Sequence, residues 1–331
     1  MNLRRYLLKK AVYVVVTVFL IASLNFFLFQ ILPGDPTRVL APRGGGATNV
    51  TTGTLRERLI QEWGLDKPVG ERFVIYIWNL LHGNLGTTIT YHANNSVLSI
   101  IAPRLTFTIV MVGIATAATM WFGVLLGRIS GWRRGRPVDI AITLGGMFTY
   151  SMPTFWISLV LVFFFAVSVD LFPPAGDKSL DYATMDGFGQ FADRVSHLTL
   201  PIVTFVISNF AIFALTLRNS LTDVLTEDFM LTARAKGLTD VAQLRTHALP
   251  NARLPVVTVA AFYFGWVFSG AIVIEYVFNL PGLGALEWDA VQALDYPLMS
   301  AIFLVGTLGV VVANAMADVL YVVLDPRVRE A

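Results

Sequence analysis

Cysteine is absent from the 331 residues, which excludes disulfides and thiolate metal sites and leaves the compartment open. Charge is scarce as well. Charged residues make up 14% of the chain and hydrophobic ones 55%, against about 25% and about 45–50% in a soluble domain. The only lysines are Lys9, Lys10, Lys67, Lys178 and Lys236, and none follows a glycine. A GxxxxGK[ST] loop that cradles nucleotide phosphates is therefore missing. His82, His92, His197 and His247 are scattered, with no HExxH or paired zinc spacing. No GxSxG marks a nucleophile, and a net charge of +2 provides no field for a nucleic acid. What remains is an apolar chain of mean hydropathy +0.66, the composition of an integral membrane protein.

A membrane-spanning helix needs about 20 apolar residues. Windows of that kind run over Ala11–Leu32, Leu105–Gly127, Ile140–Val169, Leu198–Leu217, Val256–Ile274 and Leu298–Leu320. The third is overlong and holds Pro153, which predicts a kink, a tilt or an interfacial extension. The first follows Arg4, Arg5, Lys9 and Lys10, yet its apolar run exceeds the usual 7–15 residues of a signal peptide, so it reads as an uncleaved span. Of the 24 basic residues, 15 fall on the side of the N-terminus. Seven of the other nine sit in the long 33–104 segment, where the positive-inside rule has little force. Both termini are expected in the cytoplasm, together with the 218–254 segment.

Three regions follow from this topology: a tail and first span (1–32), an extracytoplasmic loop region (33–104) and a five-helix core (105–331). In the outer region LRERLIQEW (55–63) has a helical apolar face ended by Gly64. After Pro68, ERFVIYIWNLLHG (71–83) reads as a second helix, aromatic enough to lie along the interface. These pieces serve either as a cap on the bundle or as a docking surface. The acidic, glycine-bearing 170–197 segment is expected to be an exposed external loop.

Few groups inside the spans can carry chemistry. Glu275 sits at the outer end of the fifth window and Asp318 near the inner end of the sixth, with Asn314 one turn before it. A charge at the membrane centre costs on the order of 2.5–3.5 kcal/mol on insertion scales. Each acid is thus either a structural hydrogen-bond partner or part of a solute pathway. Asn25, Gln30 and Asn209 are polar enough to line a path and equally suited to helix-to-helix hydrogen bonds.

The segment FMLTARAKGLTDVAQLRTHALPNARLP (229–255) is unlike its surroundings. Thr226 could cap a helix whose first turn holds Glu227 and Asp228, and Gly237 fits a left-handed residue at its end. Thr239 can cap a second helix that Pro250 closes. Ala233 and Ala235 keep the first helix slim. The pair is either an amphipathic linker on lipid or a docking element for a protein.

These residues resemble the membrane subunits of ABC importers of the peptide (dipeptide, oligopeptide) and nickel branch. The signature of that family has Glu-Ala-Ala, three residues, Gly, nine residues, then a pair and Leu-Pro. Here Leu231, Thr232 and Ala233 are followed at that spacing by Gly237 and by His247, Ala248, Leu249 and Pro250, and TARAKGL (232–238) is the branch's own variant. LPGDP (32–36), GLDKP (64–68), HGNLGTT (82–88), SMPTFWISL (151–159), EYVFNLPGLGAL (275–286), DYPL (295–298) and DVLYVVLDPRVR (318–329) resemble its other hallmarks in order. The resemblance covers almost the whole chain except the glycine-rich 41–54 stretch. It implies an all-α, six-span permease of the type I importer fold, set in the plasma or inner membrane. The implied partners are a second permease subunit, two cytoplasmic ATP-binding subunits and an extracytoplasmic substrate-binding protein. ATP and Mg would be bound by those partner subunits, with no cofactor in this chain. Thr232, Ala233, Arg234, Ala235, Lys236, Gly237, Leu238, Leu249 and Pro250 would form the ATPase-coupling surface. Peptides are the expected solute, with nickel or another solute as alternatives; a stand-alone channel or proton-coupled carrier, or an enzyme built on the intramembrane acids, are readings from other classes.

Overall fold

The computed structural model describes residues 3–31, 67–267 and 271–324. Those residues are overwhelmingly helical. Among them the only pairing of extended backbone is an isolated bridge between Thr87 and Ser96. The expected helix at 55–63 and the 41–54 stretch lie outside the described residues. Among the described residues, four helices are long and apolar enough to cross a membrane, or five if one sharply bent pair counts as a single span.

The chain divides into two compact units, residues 1–106 with 283–331, and 107–282. In the first, α1 (Leu3–Ile31) packs along α13 (Tyr296–Leu324). Helix α2 (Val69–Leu81), in the place expected for it, lies against α1 through aromatic rings. Phe73 stacks on Phe27 at 5.6 Å and meets Phe26 edge-on at 5.4 Å. The first turns of α3 (Val97–Trp132) and the short α12 (Leu283–Gln292) close a core of Val97, Ile101, Leu283, Leu286, Leu298 and Ile302.

The second unit holds the rest of α3 with α4 (Pro137–Ser151), α5 (Thr154–Leu161) and α6 (Gly187–Val224). The window at 140–169 is sharply bent at Pro153, where the sequence predicted a kink. Helix α4 stops at Ser151, and α5 leaves at an angle of 103° before widening into a π-helix over Val162–Ser168. Met152 is extended, at ψ 140°, as a residue before proline is driven to be. Residues 187–197, expected to be loop, instead begin α6, because Asp186 caps the helix by accepting from the Gly189 N–H at 2.8 Å. The window at 256–274 yields α10 (Leu254–Trp266), only 13 residues long, and α11 (Ile272–Val277).

Helices α3 and α6 touch backbone to backbone. A β-carbon on Gly123 would lie 2.5 Å from Phe213 Cβ, and one on Gly127 2.5 Å from the Ala214 carbonyl oxygen. Gly131 faces Leu221 one turn further on. The four-residue spacing of small residues lets two helices interlock where lipid gives no hydrophobic drive.

Candidate functional site

The 228–252 segment forms a bent helical hairpin resting on its own unit. Helix α7 (Asp228–Ala235) starts after Glu227 with no side-chain cap. Thr226, the expected cap, turns back to donate to the Asp223 carbonyl at 2.7 Å. Gly237 ends the helix at φ +73° as predicted, with its N–H on the Arg234 carbonyl and the Leu238 N–H on that of Ala233. Nothing lies within 4 Å of where a Gly237 β-carbon would be, so its outer side is open.

Thr239 caps the next helix by accepting from Ala242 N–H at 3.4 Å. That helix does not close at Pro250. It runs as α8 (Asp240–Ala242), a π-helix over Gln243–Ala248 and α9 (Leu249–Ala252). A proline ring clashes with the carbonyl four residues back in an α-helix. Here the preceding turn is wide, with Leu249 N–H bonded to the Leu244 carbonyl five residues back. Asn251 Nδ2 donates to the His247 carbonyl at 2.7 Å.

Burial sorts the expected surface residues into two groups. Met230, Ala248 and Ala252 are buried with Phe213, Leu217 and Leu221 of α6 and with Val256 and Ala260 of α10. Ala233 is also buried, at 3% exposure, so its small size serves packing inside the chain. Leu238 and Leu249 are half-buried, while Thr232, Arg234, Ala235, Lys236, Gly237 and Pro250 are exposed. Beside them stand Phe229, Leu231 and Val241, large apolar side chains left 40%, 57% and 60% exposed.

Close by in the same unit, Asp139 is almost wholly buried. It accepts from Arg218 Nε and Nη2 at 2.5 and 2.8 Å, from the Gly135 N–H at 2.9 Å and from the Ser130 hydroxyl. A two-toothed guanidinium–carboxylate pair with its remaining lone pairs filled is the arrangement that offsets the cost of burying charge. It ties the turn 133–136 and α4 to α6, the helix that leads into α7. Sequence reading missed it, although both partners stand at span ends.

Glu275 is fully buried within α11, just before the turn that follows it. Thr108 donates to its Oε1 at 2.8 Å, and Gly282 folds against the carboxyl group so closely that a β-carbon there would collide with it. The EYVFNLPGLG run is thus a turn wrapped around its own acid. Asn314 is exposed on α13. Asp318 belongs to the same helix, and its side chain lies outside the described residues.

Two polar clusters lie in the first unit, and only that of Asp295 went unread in the sequence. Asp295 is buried and its Oδ2 accepts from the N–H groups of Ile89, Thr90 and Tyr91 at 2.7, 2.8 and 3.0 Å. Its Oδ1 accepts from Leu298 N–H at 3.2 Å in the first turn of α13. Asn25, also buried, donates to Tyr76 Oη at 3.0 Å and Ser300 Oγ at 2.8 Å, a helix-to-helix bond of the kind expected. Burial raises the Tyr76 pKa, against the opposing pull of its bonds with Asn25 and Ser300. Among the described residues no cluster of His, Asp and Glu could hold a metal ion.

Comparison with known proteins decides the family. Residues 123–330 match the family described as the binding-protein-dependent transport system inner membrane component, and residues 3–112 match its N-terminal companion. The chain belongs to this permease family. It is 33% identical to a probable peptide ABC transporter permease of Sinorhizobium fredii over 98% of this chain and 99% of the relative. It is 33% identical to a dipeptide transport system permease of Escherichia coli over 98% of each. A glutathione transport system permease of Pectobacterium atrosepticum is 34% identical, again over 98% of each chain.

Proposed function

We propose that the chain is one of two six-span subunits lining the pathway of an ATP-driven importer for di- or oligopeptides. Both termini lie in the cytoplasm, and a substrate-binding protein delivers the solute from outside. The observation that carries this reading is full-length similarity to permeases named for peptides, dipeptides and glutathione. The chain makes and breaks no bonds. Two cytoplasmic subunits bind ATP and Mg and hydrolyse the nucleotide.

The exposed face of the 228–252 hairpin, with Leu231, Thr232, Arg234, Ala235, Lys236, Gly237 and Pro250, docks on an ATPase subunit. Ala233, Leu238 and Leu249 hold that face in shape from within. The hairpin shares a buried core with α6 and α10. Movement imposed by ATP closure therefore enters the spans as a rigid displacement instead of being lost in a loose linker.

Affinity capture of the tagged chain from its native membrane tests the reading, with Gly237→Trp beside Gly237→Asn. Asparagine tolerates a positive φ, so it keeps the hairpin, while tryptophan occupies the open outer side. ATPase subunits should be captured with wild type and Gly237→Asn and lost with Gly237→Trp. Equal capture by all three, or solute flux through the purified chain without ATP, overturns the proposal.

A further inference from the structure

Helices α1, α2 and α13, with the 84–87 turn, enclose a cavity of about 600 Å³ in the first unit. Its lining is graded. Lys67, Arg72, Asn79, Asn84, Thr87 and Ser300 supply the polar part, and Phe26, Ile75 and Leu304 supply much of the apolar part. Among the described residues the lining contains two cations and no carboxylate. Lys67 reaches Glu71 at 2.8 Å. Arg72 is half-buried and has no acidic partner among the described residues.

We propose that this cavity binds a glycerophospholipid of the outer leaflet, with the phosphate on Arg72 and the first part of an acyl chain over Phe26, Ile75 and Leu304. Four observations converge on a lipid. Depth is the first: Phe26 lies about 8 Å inside the end of α1, and Leu304 about 12 Å inside the start of α13, at 1.5 Å rise per residue. The apolar part of the cavity therefore sits at the level of upper acyl chains, with Lys67 and Arg72 at headgroup level. Second, α2 turns Val74, Trp78 and Leu81 outward, at 66%, 61% and 76% exposure, the stripe of a helix lying in a membrane interface. Third, α1 is itself open to lipid beside the cavity, with Leu24, Phe27 and Leu28 exposed. Fourth, a peptide carries an ammonium group that needs an anionic partner, and the described lining residues offer none. The volume lies within the roughly 300–1,000 Å³ usual for small-ligand sites. Free phosphate shares the anionic chemistry but would leave the apolar half of the lining wet.

The inference rests on the membrane orientation proposed above, but its test does not read transport. The chain is purified in mild detergent, washed free of loose lipid, and reconstituted in nanodiscs of phosphatidylglycerol and phosphatidylcholine. Retained lipid is then counted by native mass spectrometry. Wild type is expected to keep a phosphatidylglycerol through washing, Arg72→Ala to keep about tenfold less, and Arg72→Lys to restore most of it. Arg134→Ala, a cation on the 133–136 turn, should behave as wild type. Excess inorganic phosphate should leave the lipid in place. Equal retention by wild type and Arg72→Ala overturns the proposal, as does displacement by inorganic phosphate or by a dipeptide. If Arg72→Ala does not fold, the wild-type displacement arms and Arg72→Lys decide the matter.

Discussion

Arg218 grips Asp139 with both arms, Nε to Oδ1 at 2.5 Å and Nη2 to Oδ2 at 2.8 Å, although the two residues are 79 positions apart. The carboxylate is 1% exposed and takes further bonds from Ser130 and the Gly135 backbone. Helices α4 and α6 are therefore fixed to one another at the end from which the 228–252 hairpin hangs. Removing one partner of a buried pair strands the other charge and costs about 3–5 kcal/mol. Asp139→Ala should therefore lower the yield and thermal midpoint of purified protein more than the double substitution Asp139→Ala with Arg218→Leu. A double-mutant cycle by thermal unfolding checks this; additive effects would mean the pair is not coupled.

The Glu275–Gly282 contact gives a second expectation. Gly282→Ala places a methyl group where the carboxyl group stands, so the turn must open and the protein should lose folded yield. Glu275→Ala vacates that space. The double variant should recover part of the yield lost by Gly282→Ala alone. Size-exclusion recovery in detergent measures it, and no recovery would show that the loss arises elsewhere.

Overpacking at the α3–α6 contact is a third. Gly127 leaves no room for a side chain beside the Ala214 carbonyl, and forcing extra atoms into a packed interior costs about 1–3 kcal/mol or more. Gly127→Val should lower the thermal midpoint clearly. Gly145→Val, at a position with nothing within 4 Å of its β-carbon, should cost little more than the helix propensity of valine. Fluorescence-monitored melting compares the two.

Asp295 organises the turn at 89–91. Asparagine in its place presents either a donor to the backbone N–H groups or a single weaker acceptor. Each bond to a charged acceptor contributes roughly 1.5–3 kcal/mol, so Asp295→Asn should loosen the 87–96 segment. Limited proteolysis applied from the extracytoplasmic side should cut there faster than in wild type, while Asp186→Asn leaves that segment unchanged.

Much of this architecture was legible in residue order. Long apolar runs at 11–32, 105–127, 198–217 and 298–320 each coincide, wholly or for all but an end, with a helix able to cross a membrane. Gly237 and Thr239 declared a helix end and a helix start through local backbone chemistry alone. Pro250 misled because its effect depends on the turn before it, and a π-helical turn accommodates a ring that an α-turn would not. Asp186 was a readable cap overlooked inside a stretch that looked like loop. The GxxxGxxxG run at 123–131 was equally readable, but its partner on α6 was not.

The sequence by itself determined a membrane protein without nucleotide-binding or catalytic motifs, the position of most apolar helices, and the hairpin at 228–252. Those properties follow from hydropathy and from dihedral preferences, which act within a few residues. Only the tertiary structure decided that Ala233 faces inward while Ala235 faces out, that Glu275 is enclosed by its own turn, and that Asp139 meets Arg218 and Asp295 meets the 89–91 backbone. Such pairings depend on which helix faces come together. Polar groups removed from water must find partners wherever the fold brings them, at whatever distance along the chain.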